Sequence, residues 1–314
     1  MRAAVIFGLD SSEKDLIPFR ASLHCDWVIG VPASSSEADA VVIFGGDGTV
    51  HRHLPRLVKL QLPVLIVPCG SGNDFARAVK LGGRKKSLEA WRRFSLNGDN
   101  VRSIDLGTIT PISGDRSASQ GRFDSAPGRS ASHKYYFCCV GGVGLDAEVA
   151  RRANQLPRWL RGHGGYVVSL PPAVFKFAAL PMKISLAPAE NPERLITHSE
   201  RPTVLAAFAN TPVYGGGMKI APRARLDDGS LDLCLITDIN KFKLFCLFPT
   251  VYFGKHVGME EVEYLQTRRL RIETEKPLDV YADGEYVCKT PIEVSVAGKA
   301  LRVIHSSGVP EGTS

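Results

Sequence analysis

Over the first hundred residues, short apolar runs alternate with stretches of helical spacing. Ala3–Phe7, Asp26–Val31, Ala40–Phe44 and Pro63–Val67 read as strands; Ser12–Arg20, Thr49–Leu60, Asn73–Lys80 and Ser87–Phe94 read as helices. After Thr49, the residues Val50, Leu54, Leu57, Val58 and Leu60 recur near the helical period, which marks one buried face. This alternation predicts a parallel sheet covered by helices on both sides. Beyond Arg102 the chain changes to short strands set off by Gly, Pro and Asp: Val101–Thr110, Lys134–Val140, Met182–Leu186, Thr203–Ala209, Leu231–Ile236, Leu278–Tyr281, Ile292–Val296 and Leu301–Ile304. Such a series predicts a mainly antiparallel β-sandwich. The expected organisation is an α/β N-terminal domain with a parallel sheet over 1–104, which the C-terminal segment is a candidate to join, and a β-rich C-terminal domain over 105–305. The Ser-, Gly- and Arg-rich stretch 111–133 predicts a mobile surface loop, and 306–314 a frayed tail.

Composition narrows the function classes. The 314 residues carry a net charge of +7 and are 44% hydrophobic, values of a globular protein that favours anionic partners. Seven cysteines show no C-x-x-C and no Cys/His ligand spacing, which fits reduced thiols in the cytoplasm and excludes a disulfide framework or a zinc site. No apolar run reaches the length of about 20 residues that a membrane span needs, so membrane contact is expected to be peripheral. No basic helix or stacking-aromatic module appears, and nucleic acid is not an expected partner.

The candidate chemistry sits where strands end. VVIFGGDGTV, residues 41–50, breaks a buried strand with three glycines, one carboxylate and a threonine. In an open α/β sheet such a turn lies at the ligand-binding edge, and glycine backbones approach a phosphate closely. Gly45, Gly46 and Gly48 supply a cradle, Thr49 a hydroxyl, and the following helix its positive end. Asp47 would repel a phosphate unless a divalent cation stands between them, so the pattern points to nucleotide phosphate with magnesium. The alternative is a tight strand–helix turn with an acid near the cap. The next strand ends likewise in CGSGNDFAR, with Ser71 and Asn73 as donors and Asp74 entering a helix. Side by side, the two turns bring Asp47 and Asp74 together, and Asp105 in SIDLGT is a third carboxylate for the same crevice.

G-G-D-G-T followed by P-x-G-S-G-N-D-F-A-R resembles the diacylglycerol kinase catalytic domain, shared with bacterial YegS-type lipid kinases and related to sphingosine kinases. The likeness continues through DLG at 105–107, FCCVGGVGLDAEVA, FANTPVYGGGMKIAPRARLDDGSLDL and DGE at 283–285, in the family's order over most of the chain. It implies an N-terminal domain like that of NAD kinase and phosphofructokinase, a β-sandwich behind it, and ATP with Mg2+ in the cleft between. By resemblance, Asp47, Asp74 and Asp105 form a water-linked magnesium network. The acid of DGE is the general base on the lipid hydroxyl, Glu285 by position, with Asp283 as orienter or rival. The segment RLDDGS resembles a second, structural magnesium site, using the Asp228 carboxylate and the carbonyls of Arg225 and Ser230. The expected activity is transfer of the γ-phosphate to a hydroxyl of diacylglycerol or a similar lipid, in phospholipid metabolism. Two other readings stay open: an NAD-kinase-like enzyme acting on a soluble substrate, and a lipid-binding protein with a degraded nucleotide pocket.

The chain departs from the family at its first turn, where FGLDSSEKD replaces the usual Asn-Pro turn beside the nucleotide, and at Arg52, which stands where an acid is usual. His51 and His53, two positions apart, cannot share a helix face as ligands and read as surface or packing residues. KFKLFCLFPTVYFGKH, residues 241–256, and the segment around Trp159 interleave aromatics with cations, as an interfacial helix at an anionic membrane would; a core-packing helix is the alternative for the first. A homodimer is also left open.

Overall fold

The computed structural model describes residues 1–21, 25–112, 133–156, 165–237 and 239–306. The segment around Trp159, most of the predicted loop 111–133 and nearly all of the tail lie outside these residues.

Four parallel strands open the fold: β1 (Arg2–Phe7), β2 (Asp26–Ile29), β3 (Ala40–Gly45) and β4 (Val64–Pro68), in spatial order β2-β1-β3-β4. Every residue of β3 is buried, because helices cover both faces of the sheet. The helices are α1 (Glu13–Arg20), α2 (Asp47–Leu60), α3 (Asp74–Ala78) and α4 (Arg84–Asn97). Helix α2 buries Val50, Leu54, Leu57 and Leu60, the stripe that its sequence period marks. No helix joins β2 to β3; ten residues, three of them Ser, make that connection.

The second part is antiparallel. Its strands are β5 (Val101–Pro111), β6 (Tyr135–Phe137), β7 (Val140–Gly144), β8 (Leu180–Leu186), β9 (Ile196–Ser199), β10 (Pro202–Ala209), β11 (Leu231–Thr237), β12 (Val262–Thr267), β13 (Arg269–Thr274), β14 (Asp279–Ala282), β15 (Glu285–Lys289) and β16 (Ile292–Ile304). Helices α5 (Leu145–Gln155), α6 (Gly165–Lys176) and α7 (Lys241–Tyr252) flank it. Ile109, Phe137, Val143, Ile184, Phe208, Leu233, Ile272 and Val294 fill the sandwich interior.

The two strands expected near the C-terminus are one. β16 runs antiparallel to β5 along most of its 13 residues and meets β4 in parallel at Val303 and Val64. Its end therefore completes the first sheet, while its beginning pairs with β13 in the second part. The alternation of buried and exposed residues breaks between Ala297 and Leu301, where the β5 pairing register shifts, and so the sequence reads as two strands.

Asp105 sits on β5 beside this shift, almost fully buried. Its carboxylate accepts hydrogen bonds from the backbone N–H of Lys299 (2.7 Å) and of Gly229 (2.8 Å), and its own N–H donates to the Leu226 carbonyl (2.7 Å). Asp105 thus fastens the crossover strands to the loop that precedes β11. Removing it leaves two partly buried N–H groups without this acceptor, and Asp105→Ala is expected to cost about 2 kcal/mol of stability, read by urea denaturation.

Candidate functional site

The turns after β3 and β4 pack backbone against backbone. A Cβ built on Gly46 would stand 2.9 Å from the Gly70 Cα, and one on Gly70 2.5 Å from the Gly46 Cα. Only glycine at both positions allows the turns to touch. Asn73, at φ 55°, holds the second turn from inside: its Oδ1 accepts from the Gly70 N–H at 3.0 Å, and its amide donates to the Gly70 carbonyl.

With the turns in contact, Asp47 at the start of α2 reaches the start of α3. One carboxylate oxygen accepts from the Asp74 N–H (2.9 Å), the other from the Phe75 N–H (3.0 Å). Asp74 is buried beside it, accepting from Arg77 Nη2 at 2.5 Å and from the Gly216 N–H at 3.2 Å. Burial first, and then the neighbouring Asp74 charge, push the Asp47 carboxyl up to about 6 despite its two N–H donors.

A hairpin from the second part forms the opposite wall. Asp283 (φ 51°) and Gly284 (φ 82°) are the two central residues between paired Ala282 and Glu285, a type I′ turn. The Asp283 side chain is only 2% exposed. Its oxygens accept from the N–H groups of Cys138 and Cys139, both at 2.8 Å, and His51 Nδ1 lies 3.2 Å from Oδ2. Glu285 is exposed, and a Cβ on Gly48 would stand 2.6 Å from its Oε1. The acid of the hairpin therefore lies directly over the glycine turn of α2.

These groups line one cleft of about 730 Å³. Gly45 to Thr49, Ser71, Asp74 and Arg77 form one side; Cys139, Asn154, Tyr214, Tyr252 and Asp283 to Glu285 form the other. Phe7, Gly8, Leu9 and Asp10, the atypical first turn, close one end, and Ser11 Oγ pins that turn to the Phe44 carbonyl at 2.6 Å. Arg52 and His53 face the cleft as well. Tyr214 donates its hydroxyl to Asp146, a buried carboxyl that desolvation pushes up to about 6.

The structure brings Asp47, Asp74, Asp283 and Glu285 to this cleft, but not Asp105. The expected three-carboxylate crevice is corrected: Asp105 is committed to Gly229 and Lys299, next to the RLDDGS loop. There Asp228 accepts from the Ser230 N–H (3.0 Å) and from Gln266 Nε2 (2.9 Å), and Arg225 pairs with Asp227. Nearby Asp232 Oδ2 is buried without a hydrogen-bond partner, and burial, with Asp228 adding, raises that carboxyl. Among the described residues, no group of three or more His, Cys, Asp or Glu side chains gathers tightly enough to hold a metal unaided.

The reading of His51 as a surface or packing residue is also corrected. It lies one helical turn after Asp47 and bonds to Asp283, more than 200 positions away. Its i, i+4 spacing from Asp47 was the available signal, but the partner was visible only in space.

Family models match both parts of the chain: the diacylglycerol kinase catalytic domain over residues 30–109, and the YegS C-terminal NAD kinase beta sandwich-like domain over 140–305. A diacylglycerol kinase from Mycobacterium tuberculosis is 32% identical over 272 residues, covering 87% of this chain and 78% of that protein. The chain belongs to the diacylglycerol kinase family. Two solved structures share the fold of this family member: a diacylglycerol kinase from Bacillus anthracis (TM-score 0.61, 16% identity, 97% and 96% of the two chains) and an ATP-bound NAD kinase from Archaeoglobus fulgidus (TM-score 0.50, 14% identity, 98% and 94%). The family places the chain among lipid kinases, and the α/β domain with a β-sandwich is the architecture the sequence predicts. No helix among the described residues is long and apolar enough to cross a membrane.

The Asp47 environment has a pH signature. Its folded pKa is raised, so its stabilising contribution is complete below the ordinary value of 3.8 and is lost as pH rises through about 6. In chelator, urea denaturation between pH 4 and 7 should show the wild type losing stability relative to Asp47→Asn.

Proposed function

We propose that the protein transfers the γ-phosphate of ATP to the hydroxyl of a diacylglycerol-like lipid in this cleft. The observation that carries the reading is the Glu285 carboxylate lying over Gly48, at the N-terminus of α2. Phosphoryl transfer needs a cradle for the phosphates, neutralised charge, and a carboxylate beside the attacking hydroxyl. The turns of Gly45, Gly46, Gly48 and Thr49, and of Gly70, Ser71 and Gly72, which Asn73 braces from inside rather than lining the cleft, supply the cradle; Phe7 to Asp10 border the nucleoside end.

The donor set fits a divalent cation. Asp47, partly buried, and Asp74, buried, form an acid pair whose mutual repulsion a cation would relieve, and phosphate oxygens and water would complete its coordination. When bound, Mg2+ would neutralise charge on the phosphates. The RLDDGS loop, with Asp228, the Arg225 and Ser230 carbonyls, and the unpartnered Asp232 oxygen nearby, fits a second, structural cation fixed to the crossover strands by Asp105.

Glu285 is the base. A lipid hydroxyl is too weakly acidic to ionise alone, and Glu285 accepts its proton as the new O–P bond forms. Asp283 is engaged elsewhere: its oxygens accept from two backbone N–H groups and meet His51, so it orients the turn. Glu285→Gln is expected to lower kcat by about 100-fold or more while KM for ATP moves little. Asp47→Asn should abolish transfer with the fold intact. The assay is radiolabelled ATP with a panel of lipids; transfer only to a water-soluble acceptor, or undiminished transfer in excess chelator, would overturn the reading.

The lipid reaches the cleft along α7. This helix buries Leu244, Leu247 and Val251 yet also exposes Phe242 (73%) and Phe245, with Phe253 (72%) at its end. The ring of Phe175 of α6 lies 5.9 Å from that of Phe245, tilted by 32°. A helix apolar on its solvent face needs a cover, and Tyr252 carries the same helix into the cleft. The reading is peripheral contact with an anionic bilayer, with Lys241 and Lys255 at the headgroups. Phe242→Ser with Phe253→Ser should weaken sedimentation with phosphatidylglycerol vesicles about 10-fold, leaving transfer to a detergent-dispersed lipid unchanged. Unaltered sedimentation would sink it, as would a wild-type dimer that the same variant dissociates.

A further inference from the structure

The base that the proposed reaction uses stands on a turn of positive φ, so its direction depends on what holds that turn. Beside the backbone bond from the Asp283 N–H to the Val140 carbonyl (2.9 Å), four contacts that involve a side chain do so. Cys138 and Cys139 donate their N–H groups to the Asp283 carboxylate, and Asn154 Nδ2 donates to the Gly284 carbonyl at 2.7 Å. All three come from the β-rich part that carries the hairpin. The fourth, His51 Nδ1 to Asp283 Oδ2, comes from α2, the helix that begins with Asp47. We infer that His51 is a positioning residue: it ties the phosphate-side helix to the Asp283–Gly284 turn and so sets where Glu285 stands over Gly48. The inference rests on the proposed kinase chemistry.

The geometry suits a structural tie with an electrical component. The His51 side chain is 15% exposed, between the helix and a carboxylate that is itself sealed from water. Burial disfavours its charged form, but the hydrogen bond and charge of Asp283, with Glu285 adding, outweigh burial and raise its pKa above the ordinary 6.5. The other ionisable groups near it do not reverse that balance. On its own helix, Arg52 and His53 face the cleft. β6 brings Tyr135 and Tyr136, followed by the thiols of Cys138 and Cys139, which burial keeps protonated. On α3, Asp74 and Arg77 pair with each other; β3 has no titratable residue, and Arg302 of β16 reaches the far end of α2 at the Gln61 carbonyl.

The sign follows. A raised folded pKa means the imidazolium contact is complete below about pH 6.5 and fades as pH rises through the raised value. Above it, the neutral ring can still donate through Nδ1–H, but it no longer offsets the negative charge gathered where the phosphates must bind. Turnover should therefore carry an alkaline limb set by His51.

The test joins kinetics to a titration. The pH profiles of kcat and of KM for ATP are measured for the wild type, His51→Ala and His51→Asn, and the ring of His51 is titrated by NMR in the wild type and in Asp283→Asn. His51→Ala should lower kcat about 10-fold or more with a smaller change in KM for ATP. His51→Asn, whose amide can still donate to Asp283, should recover most of that loss yet show no alkaline limb. The NMR midpoint should lie above 6.5 and fall when Asp283 becomes Asn. A midpoint at or below 6.5, an unchanged midpoint in Asp283→Asn, or a His51→Asn profile identical to the wild type would overturn the inference. If His51→Ala does not fold, the Asn variant and the titration decide it. A wild type that phosphorylates no lipid would refute the kinase reading alone, because the titration reads the His51–Asp283 tie without turnover.

Discussion

Everything at the cleft depends on one shared carboxylate. Asp47 opens α2 and, through both of its oxygens, receives the first N–H groups of α3, so two helices are held at one point. That arrangement is possible only because Gly46 and Gly70 let the preceding turns touch. The donors to Asp47 are neutral amides, and Arg77, on the next helix, is paired with Asp74. Burial, and after it the Asp74 charge, therefore hold the Asp47 carboxyl above the usual range.

The second constraint is continuity between the two parts. β5 and β16 run through both, and Asp105 locks them to the loop before β11. The hairpin carrying Asp283 and Glu285 pairs with β7, whose neighbours lead through the sandwich to β16 and from there to β4. The glycine turns and the acid above them are thus positioned by the same sheet. This is why Glu285 can lie over Gly48 although nearly the whole chain separates them.

Glu285 and Asp283 show how two acids of one turn acquire different surroundings. They differ by two positions and have the same charge. The Asp283 side chain is 2% exposed and held by two backbone N–H groups and His51, while Glu285 is exposed at the cleft. Their identities say nothing of this; the I′ geometry, which turns one inward and the other outward, decides it.

The sequence alone determined what short-range pattern can encode. The βα alternation, the buried stripe of α2, the antiparallel series and the two glycine turns with their acids were all legible, because periodicity and turn chemistry act over a few residues. The family likeness followed from the same motifs. Pairings between distant segments were not legible. Asp105 looked like a third member of the acid cluster, yet its carboxylate caps Gly229 and Lys299; β16 looked like two strands because a register shift interrupts its pattern. His51 looked incidental because its partner stands at position 283. In each case the physical reason is the same: which buried N–H or ring nitrogen a side chain must satisfy is set by three-dimensional neighbours, and only the tertiary structure supplies them.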